Sequence, residues 1–159
     1  PLRFYGPLTT ENGDKSADKN DNELILRFLP SDQYLALSRK EKQHFLKQIF
    51  TISSQSNRMG YRLTYDAPNL LSEKSKLMLK RNKLSKPVSY GTIQLPVDNN
   101  PIVLMKDRQT IGGYPVLGNV MQTDLFRLAQ KRPGEHVRFV PTTLVFAQQQ
   151  LASFRKKWG

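Results

Sequence analysis

The sequence predicts a mainly β protein, an antiparallel-dominated β-barrel with two or three peripheral α-helices. The first reason is a series of short apolar runs separated by turn signals such as Asp98–Pro101 and Pro133–Gly134. The second is Met59–Tyr65, which alternates apolar and polar side chains with the period of a half-buried strand. The third is that only two or three segments carry helix-start signals. This combination is typical of a small closed barrel.

The folded body is predicted to begin near Glu23. Thr9–Asn22 has no large apolar residue, so residues 1–22 are interpreted as an N-terminal arm and flexible linker and residues 23–159 as one domain. The chain starts at Pro1 without a methionine, which suggests a fragment of a longer protein.

Signals for strands and helices then follow in order. Leu24–Leu29 is a continuous apolar run, which predicts a strand buried on both faces. Ser38 and Glu41 form a capping-box pattern for a helix to about Gln48. Further strands are expected at 49–53, 59–65, 88–95, 101–106, 114–121 and 137–140. Thr123 is expected to cap a helix over 124–130, and Thr142 a last helix through about Lys156 with apolar Leu144, Val145, Leu151 and Phe154.

Composition excludes several function classes. The 159 residues include no Cys, which excludes thiolate chemistry and zinc-thiolate sites. With only two His, a histidine-rich metal site has too few donors, and no metal is expected. No apolar run approaches the ~20 residues that cross a bilayer, so a soluble, cytoplasmic protein without membrane contact is predicted.

The net charge of +12 raises the possibility of nucleic-acid binding. The densest basic stretch, Leu71–Lys86, carries no aromatic residue on which a base could stack. We therefore interpret it as a solvated loop or edge, or as a patch that meets an acidic partner, and expect no nucleic acid.

The densest polar chemistry is the run Asp107–Pro115, DRQTIGGYP, after an apolar strand. If that strand continues, Asp107 and Gln109 share one face, where a carboxylate beside an amide could read a cyclic amide and activate water. Gly112 and Gly113 permit close backbone approach, and Tyr114 follows them. The alternative is structural: Asp107 pairs with Arg108, and the glycines form a bulge or barrel corner.

Two further segments carry candidate binding groups. Arg58 and Arg62 lie four residues apart at the start of a strand, and an arginine fork suits a carboxylate or phosphoryl group. They could equally fix the loop by bonding main-chain carbonyls. Gln94 places an amide in an otherwise apolar strand, either as a ligand for substrate or as a hydrogen-bonded barrel glutamine.

Three segments together resemble the allophanate hydrolase subunit 2 family, which includes the C-type component of bacterial 5-oxoprolinase. They are SSQSNRMGYRL (53–63), SYGTIQLPVDNNPIVLMKDRQTIGGYP (89–115) and DLFRLAQKRPGEHVRF (124–139). The resemblance implies a cyclophilin-like β-barrel, with this chain corresponding to the C-terminal half of a family member.

The resemblance also implies an activity. Together with a B-type subunit of related fold and an A-type subunit, such a protein opens the lactam of 5-oxoproline to glutamate while ATP is hydrolysed. On this interpretation Asp107 and Gln109 are catalytic, and Arg58, Arg62, Gln94, Gly112, Gly113 and Tyr114 bind the small cyclic amide. No phosphate-binding GxxxxGK[ST] motif is present, so ATP need not bind to this chain.

Two alternatives stay open. One is a regulatory module acting on a histidine-kinase inhibitor, and the other is a carboxyltransferase or allophanate-hydrolase-type subunit of urea degradation. The sequence also departs from the family pattern at Pro30–Gln33 and at Asn57, where an acidic residue is usual.

Overall fold

The structure is a computed structural model, in which residues 23–67, 69–81 and 85–158 are described. The predicted arm and linker, residues 1–22, lie outside this part of the chain. The described strands are β1 (Glu23–Pro30), β2 (Phe50–Ile52), β3 (Gly60–Thr64), β4 (Lys86–Pro87), β5 (Thr92–Gln94), β6 (Ile102–Leu104), β7 (Ile111–Gly112), β8 (Val116–Val120) and β9 (His136–Pro141). The described helices are α1 (Asp32–Leu35), α2 (Arg39–Lys47), α3 (Glu73–Arg81), α4 (Gln122–Leu128) and α5 (Leu144–Trp158).

Seven strands form a closed barrel in the order β1-β8-β5-β6-β3-β2-β9. Every pairing in it is antiparallel except that between β1 and β9, which is parallel and closes the barrel with Leu26 opposite Phe139. The short strands β4 and β7 pair separately, as a two-stranded ribbon outside the barrel. The predicted mainly β barrel, dominated by antiparallel pairing, is confirmed.

The core takes buried residues from all seven barrel strands and from α2, and the part beside α2 is rich in aromatic rings. Phe45 of α2 stacks on Phe139 of β9, with ring centroids 4.9 Å apart. Phe28 and Phe50 meet Phe139 edge to face at 5.9 and 5.4 Å. Because each ring pair adds to the burial of apolar area, this cluster fixes α2 against the barrel end formed by β1, β9 and β2.

The helix α2 begins as the sequence predicts. Ser38 Oγ accepts a hydrogen bond from the Glu41 N–H, and Glu41 Oε2 accepts one from the Ser38 N–H at 3.0 Å. The other oxygen of Glu41 accepts from the N–H and the hydroxyl of Ser72, at 2.9 and 2.8 Å. One carboxylate therefore caps α2 and also anchors the segment that leads into α3.

Several local predictions are wrong. The basic stretch Leu71–Lys86 contains the helix α3, whose Leu79 is buried against the barrel, and the described part of the chain has five helices instead of two or three. Helix α4 begins at Gln122, one residue before Thr123, so Thr123 lies inside it and forms no cap. Thr143, not Thr142, accepts from an N–H of α5.

Burial differs from expectation in β1, and helix α5 is exposed along its length. In β1, Leu26 and Phe28 are fully buried, but the opposite face, which carries Arg27, is only partly covered. Helix α5 has no buried residue, and Leu144 and Val145 are 57% and 64% exposed. It packs on α4 through Phe126 and Phe154, and its Phe146 ring lies under the Arg27 guanidinium of β1, so most of its apolar surface stays exposed.

Candidate functional site

A cavity of about 370 Å³ opens between the barrel wall and the β4–β7 ribbon, and is called the cleft below. It collects residues from β3, β5, β6 and β7 and from the loops beside them. The described lining residues are Asn57, Met59, Gly60, Arg62, Val88, Gln94, Ile102, Leu104, Gln109, Ile111, Gly112, Gly113 and Tyr114. Six of the eight residues singled out from the sequence therefore meet in one place.

The barrel wall of the cleft is a row of three residues on adjacent strands. Arg62 of β3 pairs with Ile102 of β6, which in turn pairs with Gln94 of β5. Residues directly opposite each other in antiparallel strands point to the same face. With about 4.8 Å between strands, the Cα atoms of Arg62 and Gln94 stand roughly 10 Å apart. A guanidinium and an amide thus flank an apolar side chain.

The floor of the cleft is apolar. Val88, Ile102 and Leu104 pack together as a cluster separate from the main core. Sequence reasoning placed all three in strand-like runs but did not connect them with a site. The missing information is the register, which shows that these side chains point away from the main core.

Gln94 carries a buried amide that faces the cleft. The residue is 6% exposed and lines the cleft, and its Nε2 lies next to the backbone of Gly112. Because an amide offers both a hydrogen-bond donor and an acceptor, a glutamine in this position is suited to bind a ligand.

Gly112 explains how the ribbon reaches Gln94. A Cβ on Gly112 would lie closer than 3.0 Å to Gln94 Nε2 and 3.2 Å from Val88 Cγ1. On Gly113 the nearest atom would be Ser85 Oγ, at 4.0 Å. Gly112 therefore belongs to the ribbon and permits its close approach to the barrel; it is not a bulge or corner of the barrel itself.

The loop before β3 is held by Ser56 and Asn57. Asn57 Oδ1 accepts from the N–H groups of Met59 and Gly60 at 2.8 and 3.3 Å, and Ser56 Oγ accepts from the Arg62 N–H at 3.0 Å. No described main-chain carbonyl accepts from the guanidinium groups of Arg58 or Arg62. The alternative in which these arginines fix the loop is thus not seen in the described residues.

Arg58 and Asp107 lie outside the lining and pair with each other. Arg58 Nε is 3.1 Å from Asp107 Oδ2, and the two side chains are 85% and 48% exposed. After β6 the chain turns at Lys106–Asp107, and no residue between Leu104 and Ile111 lies in a strand. The prediction that Asp107 and Gln109 share a strand face is therefore wrong, because β6 ends at Leu104. Asp107 also pairs with Arg58 and not with its neighbour Arg108.

The electrostatics of the cleft follow from its lining. Arg62 is the one charged side chain among the described lining residues, and none of them is Asp, Glu, His or Lys. The cleft is therefore positive and rich in hydrogen-bonding groups, but its described lining has no carboxylate, imidazole or amine side chain. Asp107, two residues before Gln109, is the nearest carboxylate along the chain.

The described residues offer neither a metal cluster nor a membrane-spanning helix. In residues 23–67, 69–81 and 85–158, no group of three or more His, Cys, Asp and Glu side chains is placed to hold a metal ion. Among the described helices, none has the length and apolar character needed to cross a membrane.

A family model described as "Carboxyltransferase domain, subdomain A and B" matches residues 6–141. The chain belongs to this carboxyltransferase-domain family. The C-type component of 5-oxoprolinase from Haemophilus influenzae is 36% identical over 133 residues, which is 84% of this chain and 40% of the relative. The protein of the same name from Escherichia coli K12 is 37% identical over 75% of this chain and 36% of its own length. The family resemblance inferred from the sequence is thereby confirmed.

Urea-processing proteins share the carboxyltransferase-domain fold. The urea carboxylase structure from Kluyveromyces lactis superposes with a TM-score of 0.68 over 84% of this chain and 12% of that chain, at 21% identity. At that identity the likeness shows the fold alone. The chain spans 40% or less of the length of the two curated relatives above, so it corresponds to a part of such a protein.

Proposed function

We propose that this carboxyltransferase-domain protein acts as part of the C-type component of an ATP-dependent 5-oxoprolinase, in which it binds the cyclic amide. The observation that carries the proposal is the row Arg62–Ile102–Gln94 beneath the β4–β7 ribbon. The identity of 36–37% to two relatives named as C-type components of 5-oxoprolinase supports the choice of reaction.

The substrate's two polar groups match the two ends of the row. 5-Oxoproline has a carboxylate, which an arginine fork binds with two hydrogen bonds, and a lactam, which needs a donor and an acceptor. Arg62 supplies the fork, and the amide of Gln94 supplies both a donor and an acceptor. The apolar ring carbons of the substrate then lie over Ile102.

The roles of the remaining residues follow from position. Gln109, Tyr114 and the Gly112–Gly113 backbone form the ribbon side of the cleft and orient the lactam. Asp107 is proposed as the base that accepts a proton from water, after its pair with Arg58 opens when the partner subunits dock. We assign the remaining catalytic groups to those subunits, because the described lining has no carboxylate, imidazole or amine side chain.

ATP is expected to be bound elsewhere in the complex. The described residues of the cleft offer one arginine, no carboxylate for Mg²⁺ and no phosphate-cradling loop, so they do not fit a nucleotide. A- and B-type subunits are the proposed partners and the proposed source of the nucleotide site.

The binding role can be tested on the chain itself by NMR titration. 5-Oxoproline should bind more tightly than 2-pyrrolidinone, which lacks the carboxylate, and than proline, which lacks the lactam. Arg62→Gln should erase the advantage over 2-pyrrolidinone, and Gln94→Leu the advantage over proline. Arg155→Gln, on the exposed side of α5, is the matched control and should change neither.

The catalytic role requires the full-length protein together with A- and B-type partners. 5-Oxoproline-dependent ATP hydrolysis should appear only in the reconstituted complex and should be abolished by Asp107→Asn. A complex that hydrolyses ATP in response to urea but not 5-oxoproline would assign the chain to urea degradation instead. That second candidate is favoured by a urea amidolyase from Lachancea kluyveri, 25% identical over 67% of this chain.

A further inference from the structure

A second cavity, of about 380 Å³, lies between helix α3 and the barrel and is called the α3 pocket below. Its described lining residues are Leu71, Lys76, Leu79, Lys80, Ser85, Leu95, Pro96, Val97, Asn99, Gly113, Tyr114 and Pro115. Seven of these twelve are Leu, Val, Pro or Tyr, so the wall is mainly apolar with a few polar groups. That volume and composition are typical of a small-molecule site.

The charged side chains among the described lining residues of the α3 pocket are both lysines. Lys76 and Lys80 lie four residues apart on α3 and therefore on the same face of the helix. Lys76 Nζ pairs with Glu73 Oε1 at 2.7 Å, whereas Lys80 forms no ion pair with a described residue. None of the described lining residues is acidic. An apolar pocket with lysines at its rim is complementary to a ligand that has an apolar body and a negative head group.

Asn99 provides a second, independent observation. The residue is 4% exposed and lines the pocket, where it is the one side-chain amide among the described lining residues. Its φ of 61° suits the turn after Pro96, because Asn tolerates the left-handed region. The turn explains why Asn is accepted here, and the side-chain amide of Asn99 can both donate a hydrogen bond to a ligand in the pocket and accept one from it.

We propose that the α3 pocket is a second binding site, specific for a small amphipathic anion. The apolar body lies against Leu79, Leu95 and Val97, the anionic head group lies beside Lys80, and Asn99 hydrogen-bonds a polar group of the ligand. The proposal does not depend on the function assigned to the cleft, although Gly113 and Tyr114 form a wall common to both cavities.

The test is a fluorescence titration of the full chain with 8-anilinonaphthalene-1-sulfonate, an apolar dye with one sulfonate. The dye should bind at a saturable site and be displaced by octanoate. Octylamine has the same alkyl length and the opposite charge, so it should displace the dye at least about tenfold less well, a difference of one decade in affinity.

Charge and shape variants locate the site. Lys80→Glu should weaken dye binding about fivefold or more, since reversing a charge changes an exposed ion pair into a repulsion. The matched control is Lys74→Glu, an exposed lysine of the same helix that does not line the pocket. Val97→Asp should also weaken binding, whereas Val145→Asp, at an equally exposed valine on α5, should not.

Asn99→Gly distinguishes the role of the Asn99 backbone in the turn from the role of its side-chain amide in binding. Glycine keeps the positive φ, so circular dichroism and the melting temperature should change little while octanoate affinity falls. Equal loss in Lys80→Glu and Lys74→Glu, or displacement by octylamine as good as by octanoate, would overturn the proposal. Arg62→Gln distinguishes the two sites: if it abolishes dye binding, the dye occupies the cleft and the α3 pocket is not a separate site.

Discussion

Placing an alanine at Gly112 is expected to strain the cleft through one identifiable contact. The new Cβ would lie closer than 3.0 Å to Gln94 Nε2, 3.2 Å from Val88 Cγ1 and 3.5 Å from Gln94 Cδ. Nε2 must retreat by about 1 Å to reach ordinary van der Waals separation. Gln94 borders the open cleft, so its amide can swing aside. We therefore expect Gly112→Ala to destabilise the protein by about 1–2 kcal/mol, the lower part of the range for overpacking.

A double-mutant cycle tests whether that contact is the cause. Gln94→Ala alone should cost about 1 kcal/mol or less, because it removes only the small apolar part of a side chain that borders the open cleft. In Gly112→Ala/Gln94→Ala the Cβ meets no amide, so the double variant should recover most of the loss. The coupling free energy should be about 1 kcal/mol or more.

The assay is urea denaturation followed by far-UV circular dichroism, because Trp158 is exposed on α5 and reports poorly on the barrel. Gly113→Ala is the matched control and should lie within about 0.5 kcal/mol of the parent, as expected for an open position. A loss in Gly113→Ala equal to that in Gly112→Ala would refute the reasoning. Additive losses in the double variant would refute it as well.

Two further predictions concern charged groups. Burial would raise the pKa of Glu41, but hydrogen bonds from Ser72, Ser75 and Ser38 outweigh it and lower the pKa from 4.5 to about 2. A depressed folded-state pKa contributes stability above the unfolded value that is lost as pH falls from about 5 towards 2, and thermal melts across that window should show the loss. Asp124→Ala should destabilise by about 3 kcal/mol, since it leaves the partly buried Arg27 without its bidentate partner.

Each of these has its own control. Glu41→Gln should have a flatter dependence of the melting temperature on pH than the parent, and an unchanged slope would assign the acid transition to other groups. For Asp124 the control is Asp107→Ala, which breaks the exposed Arg58–Asp107 pair and should cost under about 1 kcal/mol in urea denaturation. Similar losses at Asp124 and Asp107 would show that burial does not set the cost.

Local patterns were enough to predict much of the fold. The capping box of Ser38 and Glu41, the alternation in β3 and the turn at Asp98–Pro101 depend on neighbours within a few residues, so the sequence carries them directly. Helix α3 was missed because its six charged and polar positions resemble a solvated loop. Leu79 is the one buried residue of the helix, while Leu77 and Met78 are exposed, so its apolar pattern is too short to indicate a helix from the sequence.

The candidate site was predicted in part for the same reason. Arg62, Gln94, Gln109 and Gly112 are unusual residues for their segments, and each was noticed individually. Their meeting in one cleft depends on the registers β3–β6 and β6–β5, which no local pattern reveals. Asp107 was assigned to a shared strand face because the end of β6 was placed two residues too late.

The parallel pairing of β1 with β9 has a consequence for how this chain folds. Strand β9 lies between β1 and β2, so the barrel stays open along two edges until the segment His136–Pro141 is available. Contacts between the two ends of a domain are slow to form, because a long loop must close first. A chain that stops before His136 would therefore expose the unpaired backbone of β1 and β2, and self-association along these edges is the expected fate of that intermediate.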